Sequence, residues 1–212
     1  GCAPDTLSLS NGSFVKAPAR YYWTVNSGLV SFADDSSATT SLYIPDWHTG
    51  RDTTIQISLR TISTDGCLHD TTFNYTIYSR PLAHFSLPAS DCAPRFIYPL
   101  DSSTTAGNNL NYTWRIFPRA DGGALTTSLP NFEIPASFSD SVVYTVYLTI
   151  TDDRGCTDST SRTFTAYPRP TAAFIVSPRD SCGPLNLQFT NASISGQTGM
   201  ATNTMQFVWD FG

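Results

Sequence analysis

Thr53-Thr54-Ile55-Gln56-Ile57-Ser58-Leu59-Arg60-Thr61-Ile62-Ser63 alternates apolar and polar side chains through its centre. Ile55, Ile57 and Leu59 fall on one face, and Gln56, Ser58 and Arg60 on the other. A period of two marks a half-buried β-strand. Residues 142–151 (Val-Val-Tyr-Thr-Val-Tyr-Leu-Thr-Ile-Thr) alternate in the same way. Each run leads into a glycine turn and a cysteine, Asp65-Gly66-Cys67 in one case and Arg154-Gly155-Cys156 in the other. The two cysteines are 89 residues apart.

Other landmarks keep that period. Cys2-Ala3-Pro4 returns as Cys92-Ala93-Pro94 and again as Cys182-Gly183-Pro184, in steps of 90 residues. Arg80-Pro81 returns as Arg169-Pro170, and Trp23 as Trp114 and Trp209. Independent landmarks on one beat identify a tandem array. The units are expected over residues 1–80, with the opening strand absent, over 81–169, complete, and over 170–212, the N-terminal half only. The expectation is a window on a longer protein.

No stretch of twelve residues has helical periodicity. Turns rich in Gly, Pro, Asn and Asp recur every 8–12 residues, so the expected fold is all-β, built from antiparallel sandwiches of about 90 residues each. Strands are expected at 6–15 (around the turn Asn11-Gly12), 19–25, 42–45, 53–63 and 72–78. In the next unit they are expected at 83–87, 96–100, 110–117, 131–134, 142–151 and 156–166, and in the third at 172–176, 185–190 and 205–209. Arg80-Pro81 and Arg169-Pro170 leave almost no linker, so neighbouring units are expected to pack end to end as a semi-rigid rod.

Of the 212 residues, 14% are charged, well below an ordinary soluble domain. The formal charge of −5 lacks the basic face that nucleic acid requires. Lys16 is the only lysine. No apolar run reaches membrane-spanning length.

The five cysteines pair by position as Cys2–Cys67 and Cys92–Cys156, separated by 65 and 64 residues. Cys182 is left for a partner beyond the end of the chain. Closing loops of that length is expected to stabilise each unit by roughly 4 kcal/mol. Such bridges belong outside the cytoplasm. Each would tie an early strand to the last hairpin of its own unit, so a pulled chain would meet a covalent loop first. Zinc does not fit, because no Cys-x-x-Cys or His pair has ligand spacing and His48, His69 and His84 do not recur between units.

The stretch Phe207-Val208-Trp209-Asp210-Phe211-Gly212 resembles the start of the Trp-Asp-Phe-Gly-Asp-Gly motif of PKD domains, which are Ig-like β-sandwiches. Cys182-Gly183-Pro184 and the run Leu185-Asn186-Leu187-Gln188-Phe189 ahead of it complete the likeness. In the first two units Tyr22-Trp23-Thr24-Val25 and Tyr112-Thr113-Trp114-Arg115 hold the register without Asp-Phe-Gly. The pattern is similar to PKD-type repeats of very large Bacteroidetes surface proteins, including gliding-motility-type adhesins exported by the type IX system. The resemblance implies a spacer or interaction module at the cell surface, with no shared catalytic set. Asp5-Thr6-Leu7, Asp52-Thr53-Thr54, Asp70-Thr71-Thr72, Asp140-Ser141-Val142 and Asp158-Ser159-Thr160 resemble the O-glycosylation sequon of such proteins. That implies Thr6, Thr53, Thr71, Ser141 and Ser159 as modified hydroxyls. The same tripeptides also fit turn-to-strand junctions.

Other sites carry weaker chemistry. Asp34-Asp35 and Asp152-Asp153, with Asp158 near the latter, are candidates for calcium, which takes several oxygen ligands. None has the Asp-x-Asp-x-Asp-Gly spacing, so no cofactor is expected. Adjacent aspartates on a turn lack the desolvated cleft of a glycosidase acid. Gly-x-Ser-x-Gly is absent, and Gly122-Gly123 reads as a turn. Tyr21, Tyr22, Trp47 and Phe138 are candidate contact aromatics, with Trp47 unique to the first unit. The leading expectation is a structural stalk of a secreted cell-surface adhesin, not an enzyme, whose partners are the neighbouring repeats of the same polypeptide. The alternatives are a module binding surface glycans or other copies of itself in a filament, and an accessory region of a secreted hydrolase.

Overall fold

The computed structural model describes residues 1–14, 19–46, 48–118, 123–136, 140–178, 182–196 and 205–211. Among them the chain is all-β, with 16 strands and no helix. It folds as two compact units. The first holds Gly1–His84, Ser102–Thr113 and Leu148–Thr160, and the second holds Phe85–Asp101, Trp114–Tyr147 and Ser161–Gly212.

The first unit contains β1 (Asp5–Ser10), β2 (Arg20–Val25), β3 (Ser31–Phe32), β4 (Thr39–Ile44), β5 (Thr53–Ile62) and β6 (Leu68–Ile77). These form two antiparallel sheets, in the order β1-β4-β3 and β2-β5-β6. Leu9, Leu42 and Ile44 of one sheet share a buried core with Trp23, Ile55, Ile57, Leu59 and Ile77 of the other. Two sheets around one core make an Ig-like sandwich. The alternation in β5 places Ile55, Ile57 and Leu59 in that core and leaves Gln56 and Arg60 in solvent. Arg60 pairs across the strands with Asp70 in register. The turn between β5 and β6 requires glycine, because Gly66 sits at φ +82°, a region that costs other residues steric strain. Gly155 repeats this at +86°.

The remaining strands are β7 (Phe85–Ser86), β8 (Ser90–Cys92), β9 (Arg95–Ile97), β10 (Leu100–Asp101), β11 (Leu110–Phe117), β12 (Phe132–Ile134), β13 (Val142–Asp152), β14 (Thr157–Tyr167), β15 (Phe174–Ser177) and β16 (Gln188–Asn191). A four-stranded sheet runs β11-β13-β14-β8, and β7 pairs β10, β9 pairs β12 and β15 pairs β16. In the second unit Phe85 packs edge-on against Trp114, ring centroids 5.0 Å apart, and both side chains are fully buried.

Three differences from expectation are structural. β3 and β8 are too short to carry a sequence period. β6 starts at Leu68, four residues before its expected start. Residues 205–209, expected as a strand, form no strand, although Trp209 still meets Phe174 edge-on at 5.7 Å.

Candidate functional site: a covalent and ionic clasp in the first unit

The polypeptide ahead of β1 runs beside the end of β6. Cys2 bridges Tyr78 in parallel, the Tyr78 amide donates to Gly1 O at 2.8 Å, and the Ala3 amide donates to Tyr78 O at 3.3 Å. This fixes Cys2 at the C-terminal end of β6. Its sulfur bonds Cys156, with S–S 2.07 Å and Cα–Cα 5.4 Å. Cys156 lies at the head of β14, almost fully buried. Both cysteines belong to the first unit.

This corrects the expected pairing. Cys2 does not bond Cys67, and Cys92 does not bond Cys156. Cys67, Cys92 and Cys182 are free and exposed. Cys67 heads β6, and Cys2 stands beside the residue that follows it. At the rise of an extended chain these points are about 35 Å apart, whereas a disulfide needs Cα atoms within about 7 Å. The same holds one repeat on. Cys92 is in register with Tyr167 at the end of β14, and Cys156 precedes its start. One long strand therefore separates the two cysteines of each of the first two sequence repeats, too far for Cys2 to bond Cys67 or Cys92 to bond Cys156.

Two ion pairs accompany the disulfide. The Arg80 guanidinium donates to Thr157 O at 3.0 Å and to Asp158 Oδ1 at 3.1 Å. The other oxygen, Asp158 Oδ2, accepts the Ala83 amide at 2.8 Å. Arg154 Nη1 donates to Asp52 Oδ1 at 2.8 Å, and that oxygen also accepts the Ser79 amide at 3.1 Å. The Arg154 guanidinium lies over the Tyr78 ring, 5.1 Å from its centroid. These four charged side chains are 16–25% exposed. Screening is weaker there than for a fully solvated pair, and each charge has further hydrogen bonds, which is the condition for a net gain.

Asp152 closes the turn before Cys156. Its Oδ1 accepts the amides of Arg154 at 3.0 Å and Cys156 at 2.9 Å. Its Oδ2 is buried without a hydrogen-bond partner. In the first repeat Ser63 occupies this place, and its hydroxyl accepts the Cys67 amide at 3.2 Å.

The calcium candidates are engaged with protein groups. Asp34 Oδ1 accepts the Ser36 amide at 2.9 Å and the Ser36 hydroxyl at 2.8 Å. Those bonds hold the Asp34 carboxyl below its ordinary pKa, the amide bond most of all. The Asp35 carbonyl accepts the Trp23 amide. Asp153 accepts from Asn108. Among the described residues no three His, Cys, Asp or Glu side chains cluster to hold a metal.

The contact candidates separate. Tyr21 packs partly buried against the core, and Tyr22 is 42% exposed on the polar face of its sheet, in a depression shared with Arg60 and Asp70. Trp47, Phe138, Gly122 and Lys16 lie outside the described residues. Of the candidate glycosylation hydroxyls, Thr6, Thr71, Ser141 and Ser159 belong to exposed residues and Thr53 to a half-buried one. Thr6, Thr71 and Ser159 lie within strands, whereas Thr53 opens β5 and Ser141 just precedes β13.

Nothing in the sequence marks Arg154 and Asp52 as partners, and Arg80-Pro81 reads there only as a short joint. The recurrence of arginine with proline at Arg169-Pro170 was the available signal. Arg169 reaches Pro94 O at 3.5 Å.

No family model matches the chain, and no curated protein matches it. Among solved structures the chain is similar to the PKD1 domain of the Vibrio cholerae metalloprotease PrtV, at 24% identity over 41% of this chain and 96% of that one, TM-score 0.33. It is similar to the PKD1 domain of Vibrio anguillarum Epp, at 25% identity over 43% and 98%, TM-score 0.35. It is also similar to mouse cadherin-23 EC22-24, at 10% identity over 83% and 66%, TM-score 0.33.

Proposed function

We propose that this chain is a spacer segment of a long secreted surface protein. Its β-sandwich modules transmit force and hold spacing, and catalysis lies elsewhere. The observation that carries this reading is the clasp: Cys2 of the first sequence repeat bonded to Cys156 of the second, flanked by Arg80–Asp158 and Asp52–Arg154. A binding module needs a concave site with convergent polar groups. A spacer needs joints that resist opening, and the least exposed ion pairs of the first unit among the described residues lie at such a joint. A disulfide also persists in oxidising surroundings, which supports an extracellular place. The finer assignment, a PKD-type stalk of a Bacteroidetes-type adhesin exported by the type IX system, rests on the resemblance at residues 207–212. The modules are assigned to 1–80, 81–169 and 170–212.

Pulling single molecules from both termini tests this. The bridge hides a loop of sequence separation 154, so oxidised chains are expected to extend about 500 Å less than reduced ones, at roughly 3.5 Å per residue. Equal extension in the two states, with unfolding at equal force, would remove the mechanical role.

A further inference from the structure

The first unit has an open apolar groove of about 740 Å³. Ser10, Asn11 and Phe14 line one edge, Thr71 and Phe73 the other, with Trp23 and Leu59 at the base and Cys67 within it. The repeat register identifies what fills this place elsewhere. Ser10, Asn11 and Phe14 correspond, 90 residues on, to Leu100, Asp101 and Thr104. In the second repeat those residues pair with the opening strand: Leu100 with Ser86 and Asp101 with Phe85, and Thr104 with Leu82. The counterpart of Trp23, Trp114, receives the Phe85 ring. The counterpart of Phe73, Arg162, donates to Phe85 O. The third repeat does the same. Phe174 pairs with Asn191, Thr171 with Ile194, and the Phe174 ring meets Trp209.

Cys67 gives a second, independent sign. It is the counterpart of Cys156, which is bonded to the Cys-x-Pro cysteine one repeat earlier, yet Cys67 is exposed and free. We propose that this face is the docking surface for a further module of the same repeat type. The extended segment that joins that module to this one, the opening strand of this unit patterned as Leu82-Ala83-His84-Phe85, fills the groove, and the module's Cys-x-Pro cysteine bonds Cys67. The inference rests on the spacer reading and specifies its partner. Two thiols become one disulfide by exchange with a small-molecule disulfide such as oxidised glutathione, which leaves as two thiols.

The test duplicates residues 2–91 ahead of Cys2 in place of Gly1, which adds one repeat in register, and refolds the longer chain with oxidised glutathione. Peptide mapping is expected to find the added Cys2 bonded to the original Cys67, with Cys2–Cys156 retained. The free-thiol count then stays at three, although two cysteines have been added. A count of five, or a bond from the added Cys2 to the added Cys67, overturns the proposal. A shorter addition of residues 81–91 alone tests the groove without the bridge. It is expected to raise the melting temperature of the first unit by about 5 °C, and Phe85→Ser within the addition is expected to abolish the gain. No gain from the short addition overturns the groove assignment. A longer chain that keeps Cys2–Cys156 and its shortened extension but lacks the bond from the added Cys2 to the original Cys67 would leave the spacer reading standing and this inference refuted.

Discussion

At the residue scale the informative side chain is Asp152. Two amides converge on Oδ1, while Oδ2 is buried with no partner. A buried, unsatisfied acceptor costs about 1–3 kcal/mol. Ser63 closes the equivalent turn with one hydroxyl and leaves no such orphan. Asp152→Ser is therefore expected to be neutral or stabilising by up to about 1 kcal/mol, whereas Asp152→Ala, which frees both amides, is expected to cost about 1–2 kcal/mol. Urea titration of the two variants checks this. A loss above about 1 kcal/mol in the serine variant would mean that the carboxylate itself is needed. The period locates Asp152 in the sequence as a turn residue, but the orphan oxygen cannot be read there, because burial is set by the packing of distant strands.

At the element scale, β5 and β13 were legible because half-buried strands carry a period of two. β3 and β8 were not, since two or three residues cannot show a period. The cross-strand pair Arg60–Asp70 was likewise invisible until register was known. Arg60 Nε and Nη2 each donate to an Asp70 oxygen at 2.8 Å. These hydrogen bonds, with the guanidinium charge, hold the Asp70 carboxyl below its ordinary 3.8. Folded Asp70 thus binds its proton less readily than unfolded Asp70. Its contribution is fully present above pH 3.8 and is lost as pH falls through the lower folded value. Both groups are solvated, so the effect is small. Stability measured from pH 5 down to pH 2 is expected to fall less steeply in Asp70→Asn than in the parent chain. Parallel acid limbs would show that the pair contributes nothing.

At the scale of the whole molecule, the cysteine count and its 90-residue period were plain in the sequence, while the partners were not. Sequence separation makes Cys2 and Cys67 look like the two ends of one loop. It does not show that β6 runs its full length between them. Once a long strand puts Cys67 and Cys2 at opposite poles of a repeat, Cys2 reaches into the next repeat for Cys156, and the closed loop grows from about 65 residues to 154. The chain-entropy relation then gives roughly 5 kcal/mol of stabilisation. Cys2→Ala leaves Cys156 as a buried thiol and adds no polar group, so it isolates that contribution. Its first denaturation transition, followed by far-UV circular dichroism, is expected to fall by roughly 5 kcal/mol, less whatever the two ion pairs still restrain. Cys67→Ala and Cys92→Ala are expected to leave it unchanged. If Cys67→Ala or Cys92→Ala proves as costly as Cys2→Ala, the bridges close within repeats and the clasp does not exist.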